Sequence, residues 1–234
     1  MLKQIISAAS LAVITSVLMA AGSTAFGQTM PYSVEMKITA TVDKVTKVDN
    51  VKVYLVSGTK YRIEQSSGAS KRVIVVNGRD TYRAEYPRMV GVHLLQPMEA
   101  YVKLQKLGPQ TSNSLTTFIK SGGKLKGTEV IDGVKCELYS FVGKDTQNHK
   151  LWVALPNRYA KRMMEDGVVK GALQMGAPQE THIVSRVTEF SNWQTGKTLD
   201  AKLFVPPSDV KYEEAPKEII AKPQFPVVRP KISK

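Results

Sequence analysis

Residues 72–87 read RVIVVNGRDTYRAEYP. Four adjacent β-branched residues, Val73-Ile74-Val75-Val76, meet Asn77-Gly78, and a second run closes on Tyr86-Pro87. Asn-Gly suits the two central positions of a type I′ turn, where both residues take φ > 0 and the turn follows the twist of a hairpin. The β-branched tetrad predicts a strand covered on both faces, because a strand with one wet face would alternate. The stretch therefore reads as a hairpin in the middle of a curved antiparallel sheet.

Upstream, Tyr32, Val34, Met36, Ile38, Ala40 and Val42 fall on one face of a period-2 pattern, with Ser33, Glu35, Lys37, Thr39 and Thr41 on the other. Val51 to Val56 continues this alternation. Ser57-Gly58-Thr59 then turns the chain into Lys60 to Gln65, and residues 66–70 form another turn before the hairpin. Downstream of Pro87 the period changes. Leu94, Leu95, Met98, Tyr101, Val102 and Leu104 approach helical spacing, and Pro97 suits the first turn of a helix from Met98 to Leu107. Ser112 or Asn113 caps a second short helix through Leu115, Phe118 and Ile119, which Gly122-Gly123 ends.

Strands resume with Asp132-Gly133 as a second hairpin turn, then Cys136 to Val142, Lys150 to Leu155, Tyr159 to Glu165, Thr181 to Phe190 and Leu199 to Val205. The expected fold is mainly β, with about nine to eleven strands. A curved antiparallel sheet forms an incomplete β-barrel, and short helices act as a lid over its concave face. The domain is expected to span residues 28–211. From Tyr212 the chain carries four prolines and many basic residues without periodicity, which predicts an extended or disordered tail over 212–234.

Residues 1–27 carry the pattern of a secretory signal: Lys3, an uncharged apolar stretch from Ile5 to Ala21, and Ala25-Phe26-Gly27 before an expected cleavage at Gln28. The mature chain is thus expected outside the cytoplasm. Cys136 is the single cysteine, so no intramolecular disulfide forms, and its place in an alternating run predicts a buried structural thiol. The net charge of +13 raises nucleic acid as a partner. Export argues against that and leaves an anionic membrane surface, acidic glycans or an envelope protein.

No catalytic or metal-binding constellation stands in the sequence: there is no G-x-S-x-G, H-E-x-x-H, phosphate-binding glycine loop or Cys/His ligand spacing. His93, His149 and His182 lie in different elements, and neither enzymatic activity nor a cofactor is expected. Large flexible apolar residues recur in the strands instead, Met163, Met164, Trp152 and Phe141 among them. A concave sheet lined by such residues buries acyl chains at about 0.8 kcal/mol per CH₂; packed by helices, the same residues make an ordinary core. The candidate cavity residues are Met36, Ile38, Val53, Leu55, Tyr82 and Leu95 from the first half. Met98, Leu138, Trp152, Met163, Phe190 and Phe204 complete the set.

Three segments resemble the periplasmic outer-membrane lipoprotein carrier (LolA/LolB-like) superfamily, in the manner of a sorting-protein homologue. VVNGRDTYRAEYP is similar to that family's apolar strand, turn and aromatic strand, with Asn77, Gly78, Arg79, Tyr82, Tyr86 and Pro87 at the matching positions. KLFVPPSDV is similar to its closing strand through Phe204, Pro206, Pro207 and Val210, with Asp209 where Gly is usual. Gly127 to Phe141 and Lys150 to Gly167 resemble the back hairpins of related sorting-protein homologues. The family places an Arg in the loop before the third strand, bonded to the lid; the loop from Val56 to Lys60 has none, and Arg62 is the nearest. The resemblance implies a half-barrel with a hydrophobic cavity, a periplasmic location, and transport or sensing of lipid or lipoprotein acyl chains. A protein-binding regulator of envelope stress on the same fold is the alternative, and a hydrolase of envelope components is a further one.

Overall fold

The computed structural model describes residues 31–95, 111–143, 147–155, 157–171 and 180–214. The expected signal sequence, the expected helix Met98 to Leu107 and the tail beyond Glu214 lie outside the described residues.

Six strands come first: β1 (Tyr32–Val42), β2 (Val45–Ser57), β3 (Lys60–Ser67), β4 (Ser70–Asn77), β5 (Asp80–Tyr86) and β6 (Val90–Leu94). Helix α1 (Thr111–Lys120) follows. Then come β7 (Lys124–Ile131), β8 (Val134–Val142), β9 (Asn148–Ala154), β10 (Ala160–Gly171) and β11 (Glu180–Thr195). A 3₁₀ turn (Ala201–Phe204) leads to β12 (Lys211–Glu214). All twelve strands join one curved sheet in the order β12-β6-β5-β4-β3-β2-β1-β11-β10-β9-β8-β7. The pairings are antiparallel except β12 on β6, which is parallel. The two ends, β12 and β7, do not pair, so the barrel stays open.

Pairing register sorts the side chains into two faces. The inner face carries Tyr32, Val34, Met36 and Ile38 of β1, opposite Leu55, Val53 and Val51 of β2. Tyr61 and Ile63 of β3 and Ile74 and Val76 of β4 extend it on one side, Phe190, Met163, Leu151 and Val153 on the other. Leu115 of α1 is buried against this surface and Phe118 is half-buried there. The outer face has two smaller clusters: Val73, Val75, Ala84 and Val210 near β12, and Ile131, Cys136, Trp152 and Ala154 near β7. Strand β4 is thus covered on both sides, as the β-branched tetrad requires.

Four local expectations are corrected. Asn77 pairs with Asp80, so the loop is Gly78-Arg79; Gly78 has φ +67° and Arg79 does not have positive φ. That is the pattern of a II′ turn, with glycine first, instead of I′ on Asn-Gly. The I′ pattern does occur at Asp132-Gly133 (φ +47° and +75°). Residues 90–94 form β6, read as part of a helical region because the five-residue alternation is short and Leu94-Leu95 mimics helical spacing. Leu199 to Val205 is no strand: Asp200 caps a 3₁₀ turn by accepting from the Lys202 amide, and Pro206-Pro207 cannot donate to a ladder. The chain then returns as β12, so Tyr212 to Glu214 belong to the sheet and not to a tail.

Candidate functional site

The side of the sheet under α1 is the candidate site. Of the twelve residues singled out, Met36, Ile38, Val53, Leu55 and Phe190 lie together in its core, and Met163 packs half-buried against them. Alternation carries four others to the opposite face. Tyr82 packs on the outer cluster around Val73 and Val75; Leu138 and Trp152 pair with each other in the outer cluster of β8 and β9. Phe204 is 1% exposed on the outer side, beneath the Lys60 ammonium, 5.2 Å from its ring centre. Leu95 is 61% exposed, and Met98 lies outside the described residues.

The described helix is short compared with the surface below it. A ten-residue helix is about 15 Å long, whereas twelve strands span roughly 50 Å. Helix α1 meets the sheet near β9, with Phe118 edge-on to Phe141 at 4.8 Å. Gly123 lies so close to the Phe118 ring that only a glycine fits there, and its amide donates to the Phe118 carbonyl to close the helix.

The inner face changes character along the strands, which the sequence pattern did not signal. Beyond Ile38 it becomes polar: Asp49, Gln65, Arg72, Glu85, Glu165, Arg186 and Thr188 follow the apolar rows in register. Asp49 is buried, accepts from Gln65 Nε2 at 3.3 Å and has Lys47 Nζ at 3.5 Å. Burial pushes the Arg186 guanidinium below its ordinary value, and Glu165 at 3.8 Å with Asp49 partly offsets this. Such a row gives the inner face a polar, charge-paired end.

Each histidine holds carboxylates of its own, in different places. His93 sits between Glu214 and Asp80 at 2.6 and 2.9 Å on the outer face, His182 binds Asp43 at 2.5 Å by the β1–β2 turn, and His149 lies 3.5 Å from Glu165 on the inner face. No group of three or more His, Cys, Asp or Glu among the described residues is placed to hold a metal. Cys136 is fully buried and donates weakly to the Val134 carbonyl. Among the described residues no helix is long and apolar enough to cross a membrane.

No protein-family model matches the sequence, and no curated protein matches it. Some solved structures align with most of the chain at low identity. A conserved protein of Thermus thermophilus is 10% identical, with a TM-score of 0.44, over 89% of this chain and 99% of that one. A LolA superfamily protein of Nitrosomonas europaea is 16% identical, with a TM-score of 0.33, over 82% of this chain and 97% of that one. The Pseudomonas aeruginosa MucA/MucB complex gives 9% identity and a TM-score of 0.41, over 77% of this chain and 57% of the matched chain. Likeness at this level carries nothing about ligand or partner. The open sheet with a helix on its inner side is what the resemblance in residues 72–87 and 202–210 implies. One detail differs: Arg62 donates to the Leu203 carbonyl at 3.2 Å, so it secures the Phe204-Pro206-Pro207 segment on the outer face and not α1.

Proposed function

We propose that this half-barrel is a non-enzymatic periplasmic binding protein that holds lipid or lipoprotein acyl chains between α1 and the inner face, for transport or sensing. The observation that carries the reading is the disproportion between a broad apolar inner face and a helix that contributes Leu115 and Phe118 to it. Among the described residues, sliding a chain beneath the helix re-exposes Leu115 and Phe118, roughly 3–6 kcal/mol by apolar burial. About ten acyl CH₂ groups buried in exchange contribute roughly 8 kcal/mol. The exchange is favourable, and no chemistry is asked of the site.

Native mass spectrometry of gently purified protein, together with titration by a fluorescent fatty acid, tests it. Co-purified lipid or saturable binding is expected. Met163→Glu, which sets a charge on the inner face, should weaken binding at least tenfold, and Val48→Glu on the outer face should not. Protein that is ligand-free and indifferent to the fatty acid ends the reading.

A second reading, as a protein-binding module, is favoured by the free edge strand β7, where seven of eight residues are exposed. A peptide adding to that edge would keep its affinity when the inner face carries Met163→Glu.

A further inference from the structure

Beside the C-terminal end of α1, the beginnings of β7 and β9 and the end of β8 enclose a half-open cleft of about 340 Å³. Three lysines line it, Lys124, Lys126 and Lys150, together with Ser121, Ser140 and Asn148. Register explains their convergence. Lys124 pairs with Ser140, and Ser140 with Lys150, so one hydroxyl lies between two ammonium-bearing side chains on adjacent strands. The two lysines are two strand spacings apart, about 10 Å at the backbone, and their long flexible stems reach a common centre above Ser140. Lys126 joins them from the irregularity between Leu125 and Gly127, where the ladder shifts.

Grouped cations normally recruit carboxylates. Here no carboxylate among the described residues lies within ion-pair distance of Lys124, Lys126 or Lys150. Among the described residues, Asp166 accepts from Asn148 at 3.4 Å, and Glu165 faces His149 and Arg186. Phe141 and His149, stacked at 4.6 Å, also border the cleft, but alternation turns their rings to the inner face, away from Ser140 and Lys150. A small anion with three or more acceptor oxygens, such as a phosphate group, fits this combination, since lysines act as point charges and the hydroxyl and amide as directional donors.

We infer that the cleft of Lys124, Lys126 and Lys150 around Ser140 binds a phosphate ester, either as a free molecule or as the headgroup of an anionic lipid. The site stands on its own residues and does not depend on acyl-chain binding. Glycerol 3-phosphate titrated into ¹⁵N-labelled protein at low salt should shift the amide signals of Ser140 and Lys150 saturably. K124Q/K126Q/K150Q should weaken this at least tenfold. K44Q/K197Q/K211Q, which removes the same charge from exposed positions elsewhere, should stay within twofold. Ser140→Asp keeps every lysine, occupies the centre with a carboxylate, and should weaken binding as strongly, which covers the case of a triple variant that folds poorly. Flotation with phosphatidylglycerol vesicles against phosphatidylcholine vesicles separates the sources: selective flotation lost in the cleft variants assigns a lipid headgroup, and titration without flotation assigns a soluble ester. Equal weakening by both triple variants, or neither a saturable shift nor selective flotation, overturns the inference.

Discussion

The imidazole of His93 lies flat against the ring of Tyr82, ring centres 4.5 Å apart and planes 12° from parallel. Its two nitrogens reach Glu214 of β12 and Asp80 of β5, and Tyr212 meets Tyr82 edge-on at 5.3 Å. The bonds to Glu214 and then Asp80 raise the His93 pKa above the ordinary imidazole value. Only the imidazolium donates to both carboxylates. A raised folded-state pKa gives stabilisation that is full below the unfolded value of about 6.5 and is lost as pH rises through the folded value. Hydrogen exchange at residues 211–214 should therefore quicken on going from pH 6 to pH 9, beyond the intrinsic change in exchange rate. In His93→Gln that extra quickening should vanish; its persistence would refute the linkage.

Strand β12 also depends on a glycine. A Cβ on Gly91 would stand 2.6 Å from the Tyr212 ring and 2.9 Å from the Arg83 carbonyl. The ring could swing away, but the carbonyl belongs to the paired strand. Gly91→Ala should destabilise by about 1–3 kcal/mol in urea unfolding and open residues 211–214 to protease. Combined with Tyr212→Ala it should add little, because both changes release the same strand.

Phe204 and Leu95 separate what burial contributes. Both were candidates for one cavity, yet Phe204 is 1% and Leu95 61% exposed. Phe204→Ala should lower stability by about 3–5 kcal/mol and Leu95→Ala by less than about 0.5. Fatty-acid binding by folded Phe204→Ala protein should equal that of the parent, as the residue lies on the outer side.

Burial raises the Cys136 thiol above its usual value, only partly countered by Lys161 and Arg162. An aromatic disulfide reagent at neutral pH should react with native protein far more slowly than with protein in urea. Equal rates would place the thiol at the surface.

Much of the sheet was legible because alternation in residues 32–42 and the tetrad at 73–76 state, strand by strand, what is covered. The side of the sheet was not legible. Phe204 and Phe190 look alike in sequence, but Pro206-Pro207 removes one from the ladder, while the other, opposite Met36 and in step with Thr188, faces inward. Moving the hairpin loop from Asn77-Gly78 to Gly78-Arg79 changes the partner of Tyr82 from Val73 to Val75, and both belong to the outer cluster. The basic cleft escaped notice because Lys124 and Lys150 are separated in sequence and meet only through Ser140. Arg72 and Arg186 carry no signal of burial in the sequence; pairing register sets them on the inner face beside Glu85 and Glu165.

The pairing of β1 with β11 joins Tyr32 to Thr195, whereas the neighbouring strands within β1–β6, and within β7–β11, are consecutive in the chain. The sheet is two meanders sewn along one seam. Each half forms from short loops, but the seam awaits nearly the whole chain, so the slow event in folding should be their joining and not the growth of either half. A nascent chain emerging from its N-terminus would expose the β1 edge until β11 arrived, and that edge is where a chaperone would have the longest time to act.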